Sequence, residues 1–203
     1  MAIGVALQRD DLRIGQPFDI VLSSARAGGE WAWRQIYTSH SPAVLGYLRG
    51  RGASDPEDLL GDVFLNVVRS IDSFSGGEDA FRAWIMTIAR RRLVDDQRKR
   101  SRRPQAAATL DELLDVGSPI DTEDQAITRV DGAKTIEAIR ELTPDQQDVL
   151  LLRLVADLSL EEVAGAMGKR LTSVKALQRR ALASLGRKFS AERGIPVGVA
   201  DDS

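Results

Sequence analysis

Apolar residues recur at three- and four-residue steps through most of the chain, and no segment alternates with the two-residue period of a strand over a useful length. This pattern predicts helices over roughly 18–27, 30–50, 55–71 and 79–101, punctuated by Gly28–Gly29, Gly50–Gly52 and Ser75–Gly77. The helix at 55 has a well-formed start. Ser54 or Asp55 can cap it, Pro56 suits the first turn, and Glu57 and Asp58 oppose the positive end of the helix dipole. Its positions Leu59, Leu60, Val63, Phe64, Val67, Val68 and Ile71 read as a core stripe, and Phe81, Trp84, Ile85, Ile88, Ala89 and Leu93 form another on the next helix.

A second helical unit is predicted over 133–189. Thr143 and Gln146 make a capping box around Pro144 ahead of the apolar run Val149–Val155, and Ser159 and Glu162 make another ahead of Leu160–Met167. Gly168 supplies the left-handed residue that ends that short helix, and a further one follows with Val174, Leu177, Ala181, Leu182 and Leu185 on its buried side. Ala164 is small where the two must cross closely. The pattern is a helix-turn-helix. Residues 1–17 read as a loose extension and 190–203 as a disordered tail. Residues 104–132 start with Pro104 and three alanines, turn acidic, and read as a linker with at most one short helix near Leu110–Leu114. The expected fold is therefore all-α: two small helical domains, 18–103 and 133–189, joined by an acidic flexible linker.

Charge sharpens this picture because it is segregated. Twenty-eight basic and thirty acidic residues leave a net charge of only −2. Residues 54–79 nevertheless carry seven acids against Arg69 alone, and 104–132 carry seven against Arg129. Residues 82–103 hold nine basic side chains against Asp95 and Asp96, and Lys169–Lys188 holds seven and no acid. A helix anchored by aromatics and ending in arginines suits a polyanion. On the last helix Ser173, Lys175, Gln178, Arg179 and Arg180 are side chains that reach phosphates and base edges in a major groove. Two cationic helices in one chain suggest nucleic acid held at two places. With no cysteine and only His40, disulfides, thiolate zinc and multi-histidine metal sites are excluded. No run has the length of a membrane span and the start lacks a signal-peptide pattern, so a cytoplasmic protein without stable membrane insertion is expected.

Both halves, in this order, resemble a bacterial RNA polymerase sigma factor of the extracytoplasmic-function (ECF) type. The likeness rests on DPEDLLGDVFLNVVRSIDSF and FRAWIMTIARRRLVDDQRKR in the first half, and on LTPDQQDVLLLRLVADLSLEEVAGAMGKRLTSVKALQRRAL in the second. The resemblance implies a region 2 bundle over 18–103, a region 4 helix-turn-helix over 133–189, and a transcription initiation factor with no catalytic residues, cofactor or metal. Core RNA polymerase, promoter DNA and an anti-sigma factor are the partners it implies. Asp55, Glu57, Asp58, Asp62 and Asn66 would face the polymerase clamp. Ser73, Ser75 and Asp79 would line a pocket for a flipped minus-10 base, with Arg90, Arg91, Arg92, Arg98, Lys99 and Arg100 on nearby phosphates, contacts suited to single-stranded DNA. Arg170, Thr172, Ser173, Lys175, Gln178 and Arg179 would read the minus-35 element. Trp84 and Phe81 could stack on bases, but their spacing assigns them to the core.

The chain departs from the family pattern at several places. Gly61 stands at a usually polar position, Val67 and Val68 replace a tryptophan, Arg91 replaces an asparagine, and Arg170–Leu171 replaces the usual capping start, so that the recognition helix would begin at Thr172. Other readings compete. A stand-alone helix-turn-helix regulator of duplex DNA leaves the first half unexplained. A metal-dependent nuclease would need a third ligand beside Asp58 and Asp62, and Asp95 and Asp96, as neighbours, point to different sides of their helix. A basic amphipathic membrane helix at 84–103 would need its arginines along one face, whereas they cluster at one end.

Overall fold

The computed structural model describes residues 16–101 and 135–192, and among these residues there is no strand. Helix α1 spans Phe18–Arg26, α2 Glu30–Gly50, α3 Pro56–Ser70, followed by a 3-10 turn at Ile71–Ser73, and α4 Glu78–Ser101. In the second segment, helical residues 135–140 precede α5 (Pro144–Leu154), α6 (Leu160–Met167) and α7 (Leu171–Glu192). The extension before residue 16, the acidic linker, including the short helix expected near 110–114, Arg102, Arg103 and the tail from 193 lie outside the described residues.

Local chemistry places the helix starts. The Asp55 carboxylate accepts from the Asp58 backbone N–H at 3.1 Å at the head of α3. At α6 the box is reciprocal: Glu162 N–H donates to Ser159 Oγ at 3.2 Å, and Ser159 N–H to Glu162 Oε2 at 2.6 Å. At α5, Thr143 N–H donates to Gln146 Oε1 at 3.1 Å. Gly168 closes α6 with φ of 62°, and the Lys169 N–H reaches the Ala164 carbonyl at 3.0 Å. The α7 helix begins at Leu171, one residue before the expected Thr172, and continues to Glu192.

The apolar stripes build the core with two corrections. Leu59, Leu60, Val63, Phe64, Val67 and Ile71 are buried, but Val68 is 49% exposed. Val174, Ala181 and Leu185 are buried, but Leu182 is 53% exposed. Both errors have one cause: at about 100° per residue, each position lies beyond the edge of the stripe formed by its neighbours. On α4 the buried set is Phe81, Ile85, Met86, Ala89 and Leu93, with Trp84 and Ile88 half-buried against it.

Helix α3 packs between α2 and α4 in the first unit, and α7 packs on α5 and α6 in the second. The units also press against each other, α4 against α6 and α2 against α5, so a single apolar cluster runs through both.

Candidate nucleic-acid and protein interfaces

The first turn of α3 projects its acids into solvent. Asp55, Glu57, Asp58 and Asp62 are all exposed, and Glu57 is paired with Arg49 at 2.6 Å. Asp58 and Asp62, one turn apart, line an open groove between α3 and α4 with Asp55, Gly61, Leu65, Asp96 and Arg100. Asn66 turns back on its own helix, its Nδ2 donating to the Asp62 carbonyl at 2.6 Å. The same face carries two apolar residues that the sequence reading did not place there, Leu65 (52% exposed) and Val68. Leu65 sits three residues after Asp62, a spacing that shares a helix face; that was the available signal. The surface is therefore acidic with an apolar edge.

The connection between α3 and α4 presents Ser73 and Ser75 to solvent, and Asp79, in the first turn of α4, is exposed and paired with Arg82. The base of the connection is fixed from two sides. Phe74 is buried, its ring 5.1 Å from those of both Phe81 and Trp84. Arg26, at the end of α1, donates to the carbonyls of Ile71 (3.4 Å) and Phe74. Arg26 is a positioning residue that periodicity could not reveal, because its partners lie some 45 residues away. Phe81 is fully buried in the core, and Trp84, half-buried, packs on it at 5.4 Å at the core's edge. His40 lies edge-on to Phe81 at 5.4 Å, and burial, then the nearby Arg82 cation, lowers its pKa to about 4.

Along α4 the basic residues do not share one surface. Arg91, Arg98, Lys99 and Arg100 are exposed and Arg92 is half-buried. Arg98 pairs with Asp95 at 3.9 Å and Arg100 with Asp96 at 2.8 Å, which turns Arg100 toward the acidic groove. Arg90 points elsewhere: its Nε donates to Asp148 of α5 at 2.8 Å. Asp148 also accepts from the Tyr47 hydroxyl at 2.8 Å and from Arg51 Nε at 2.6 Å, and Arg51 donates further to Gln147. Burial and the adjacent carboxylate raise the Tyr47 pKa, so this hydroxyl stays protonated and donates. The sequence analysis did not single out Asp148 and missed this cluster; an acid immediately before the apolar run Val149–Leu152 was its only trace.

On α7, Arg170, which precedes it, and Thr172, Ser173, Lys175 and Arg179 are exposed, and Gln178 is half-buried. Thr172, Lys175 and Arg179 lie on the face away from Val174, Ala181 and Leu185, whereas Gln178, four residues after Val174 and three before Ala181, borders the buried stripe. Lys169 is paired with Asp145 at 3.0 Å, fixing the turn to the head of α5. Among the described residues no three histidine, cysteine or acidic side chains converge as a metal site, and no helix is long and apolar enough to cross a membrane.

Comparison with known proteins agrees with this geometry. Residues 36–103 match the model of sigma-70 region 2 and residues 133–185 that of sigma-70 region 4, together more than half of the chain. The ECF RNA polymerase sigma factor BldN of Streptomyces coelicolor is 36% identical over 173 residues, covering 82% of this chain. This chain spans only 64% of that relative's length. SigD of Mycobacterium tuberculosis is 29% identical over 181 residues, covering 84% of this chain and 83% of SigD. The fold is shared with CnrH, solved with the cytosolic domain of CnrY (TM-score 0.63, 22% identity, 86% of this chain and 97% of that one). It is also shared with RpoE of Bartonella quintana, solved with the anti-sigma factor NepR (TM-score 0.58, 23% identity, 77% and 96%). The chain belongs to the sigma-70 family of RNA polymerase sigma factors and is of the ECF type.

Proposed function

We propose that this ECF sigma factor binds core RNA polymerase, directs it to specific promoters through minus-10 and minus-35 elements, and assists strand opening. The observation that carries the reading is the pairing, in one chain, of a region 2 unit bearing a cationic helix with a region 4 unit bearing an exposed basic recognition helix. The acidic face of α3 (Asp55, Glu57, Asp58, Asp62, with Asn66 and the apolar edge of Leu65 and Val68) is the polymerase surface. Ser73, Ser75 and Asp79 hold an extruded minus-10 base, and Arg90, Arg91, Arg92, Arg98, Lys99 and Arg100 serve the adjoining phosphates. Arg170, Thr172, Ser173, Lys175, Gln178 and Arg179 read the minus-35 duplex. Residues 18–103 and 133–189 are the working units, joined by the acidic linker.

The protein contributes binding energy and orientation, and the polymerase supplies the chemistry; no catalytic residue, metal or cofactor is needed. A cytoplasmic location follows from those partners. An anti-sigma factor is a further partner, supported by the fold shared with sigma factors solved in such complexes. The test is size-exclusion chromatography with bacterial core RNA polymerase at moderate salt, followed by promoter-dependent transcription. Stable co-elution and initiation from a defined start are expected. Folded protein that fails to co-elute with active core would leave a stand-alone DNA-binding regulator.

A further inference from the structure

The run Lys169–Lys188 carries seven basic residues and no acid, yet the fold lays an acid from another helix against it. Asp145, in the first turn of α5, pairs with Lys169 Nζ at 3.0 Å. The two line an open groove between the heads of α5 and α7 together with Arg170, Ser173, Leu177 and Arg180. Residues 170, 173, 177 and 180 recur at three- and four-residue steps, so one side of α7 faces this groove. The backbone beneath it is held by short-range bonds. The Lys169 N–H donates to the Ala164 carbonyl at 3.0 Å, closing α6, and the Arg170 carbonyl accepts from the Val174 N–H at 3.1 Å, opening α7.

This is the chemistry of an anion site that already holds an anion. Lys169, Arg170 and Arg180 supply three cations, the Ser173 hydroxyl a donor, and the head of α5 the positive end of a helix dipole. Asp145 is the one acid among the lining residues. A duplex lying along α7 brings a second kind of oxyanion, a backbone phosphate, to the same cations. The Lys169 and Asp145 side chains are 33% and 43% exposed, so their pair is weak and open to exchange.

We infer that Lys169 and Arg180, with Arg170 and Ser173, form a seat for a backbone phosphate beside the minus-35 bases, and that Asp145 is a resident competitor for it. The carboxylate holds the affinity of α7 for any duplex below what its cations alone would give. The inference rests on the reading of α7 as the minus-35 helix. Phosphates are the same on every sequence, whereas base edges are not. Weakening the first contact leaves the second to decide where α7 stays. When a phosphate enters, Lys169 Nζ exchanges one oxyanion for another and the Asp145 carboxylate passes to water.

Asp145→Asn keeps the side-chain shape and removes the charge. The full chain, alone and with core polymerase, is titrated by fluorescence anisotropy onto a mixed-sequence duplex and onto duplexes carrying a panel of minus-35 sequences, across a salt series. The variant should bind about three- to tenfold tighter at low salt, the range for removing one exposed like charge beside a phosphate. The factor should be the same on every duplex. Freeing Lys169 for phosphate should also steepen the salt slope by about 0.9. In a Lys169→Gln background, Asp145→Asn should leave the slope where it was.

A helical Asp145→Asn protein that binds no tighter than its parent overturns the inference. So does a gain confined to one minus-35 sequence, which would make Asp145 a reader of bases, or a slope that steepens equally without Lys169. The two readings fail separately. Tighter binding to the mixed-sequence duplex, with no promoter selected by the polymerase complex, would keep the phosphate seat and remove the sigma-factor reading.

Discussion

His40 is the clearest case of a residue whose meaning depends on its surroundings. In the sequence it is a lone histidine; in the fold it is buried against Phe81 with its pKa lowered from 6.5 to about 4. A folded value below the unfolded one means the unfolded chain takes up the proton first. Stability is therefore full above about pH 6.5 and falls as pH drops toward 4. Between pH 7 and pH 5 this one group should cost the protein about 2 kcal/mol. Urea midpoints at the two pH values should move apart for the parent and much less for His40→Leu; equal movement would remove the assignment. The recognition helix gives a second contrast. Lys175→Ala should weaken binding across all promoter variants and reduce the salt slope by about one, as for a lost phosphate contact. Gln178→Ala should alter which minus-35 base is preferred, read in a panel of minus-35 substitutions. If both variants keep the parent's affinity and preference, that helix is not the reader.

At the level of the element, starts and stops were legible because they are local. Asp55, Ser159 with Glu162, and Gly168 each act within five residues, and each does what its type and spacing predict. Helix α2 runs through Pro42, as the expected span did, because Ile36, Val44, Tyr47 and Leu48 bury its face on both sides of the lost hydrogen bond. Stripe edges were less legible. Val68 and Leu182 are apolar by type but exposed by angle, and only the packing of neighbouring helices decides how wide a stripe is covered. Exposure of Val68 and Leu65 beside Asp58 and Asp62 gives α3 a solvated acidic face with an apolar edge, the surface proposed above for core polymerase. Asp58→Arg with Asp62→Arg should abolish co-purification with core polymerase while the helical circular-dichroism spectrum is unchanged. Retained co-purification would move the polymerase contact off this face.

Across the whole molecule, the apolar cluster shared by both units implies coupled unfolding. The parent chain should show one thermal transition in calorimetry, and Asp148→Asn should broaden or split it as the units separate. An unchanged single transition would mean that apolar contacts alone hold the units together. By itself the sequence determined the helices, their caps, the segregation of charge and the two functional units, since each depends on residue type and short spacing. It also carried the resemblance that led to the family. Tertiary structure alone decided which of the α4 arginines are free, that Arg26 pins the loop before α4, and that Asp148 ties one unit to the other. These contacts join residues from 45 to 101 positions apart. No periodicity encodes such pairings, because they exist only once separate helices have been brought together by burying their apolar faces.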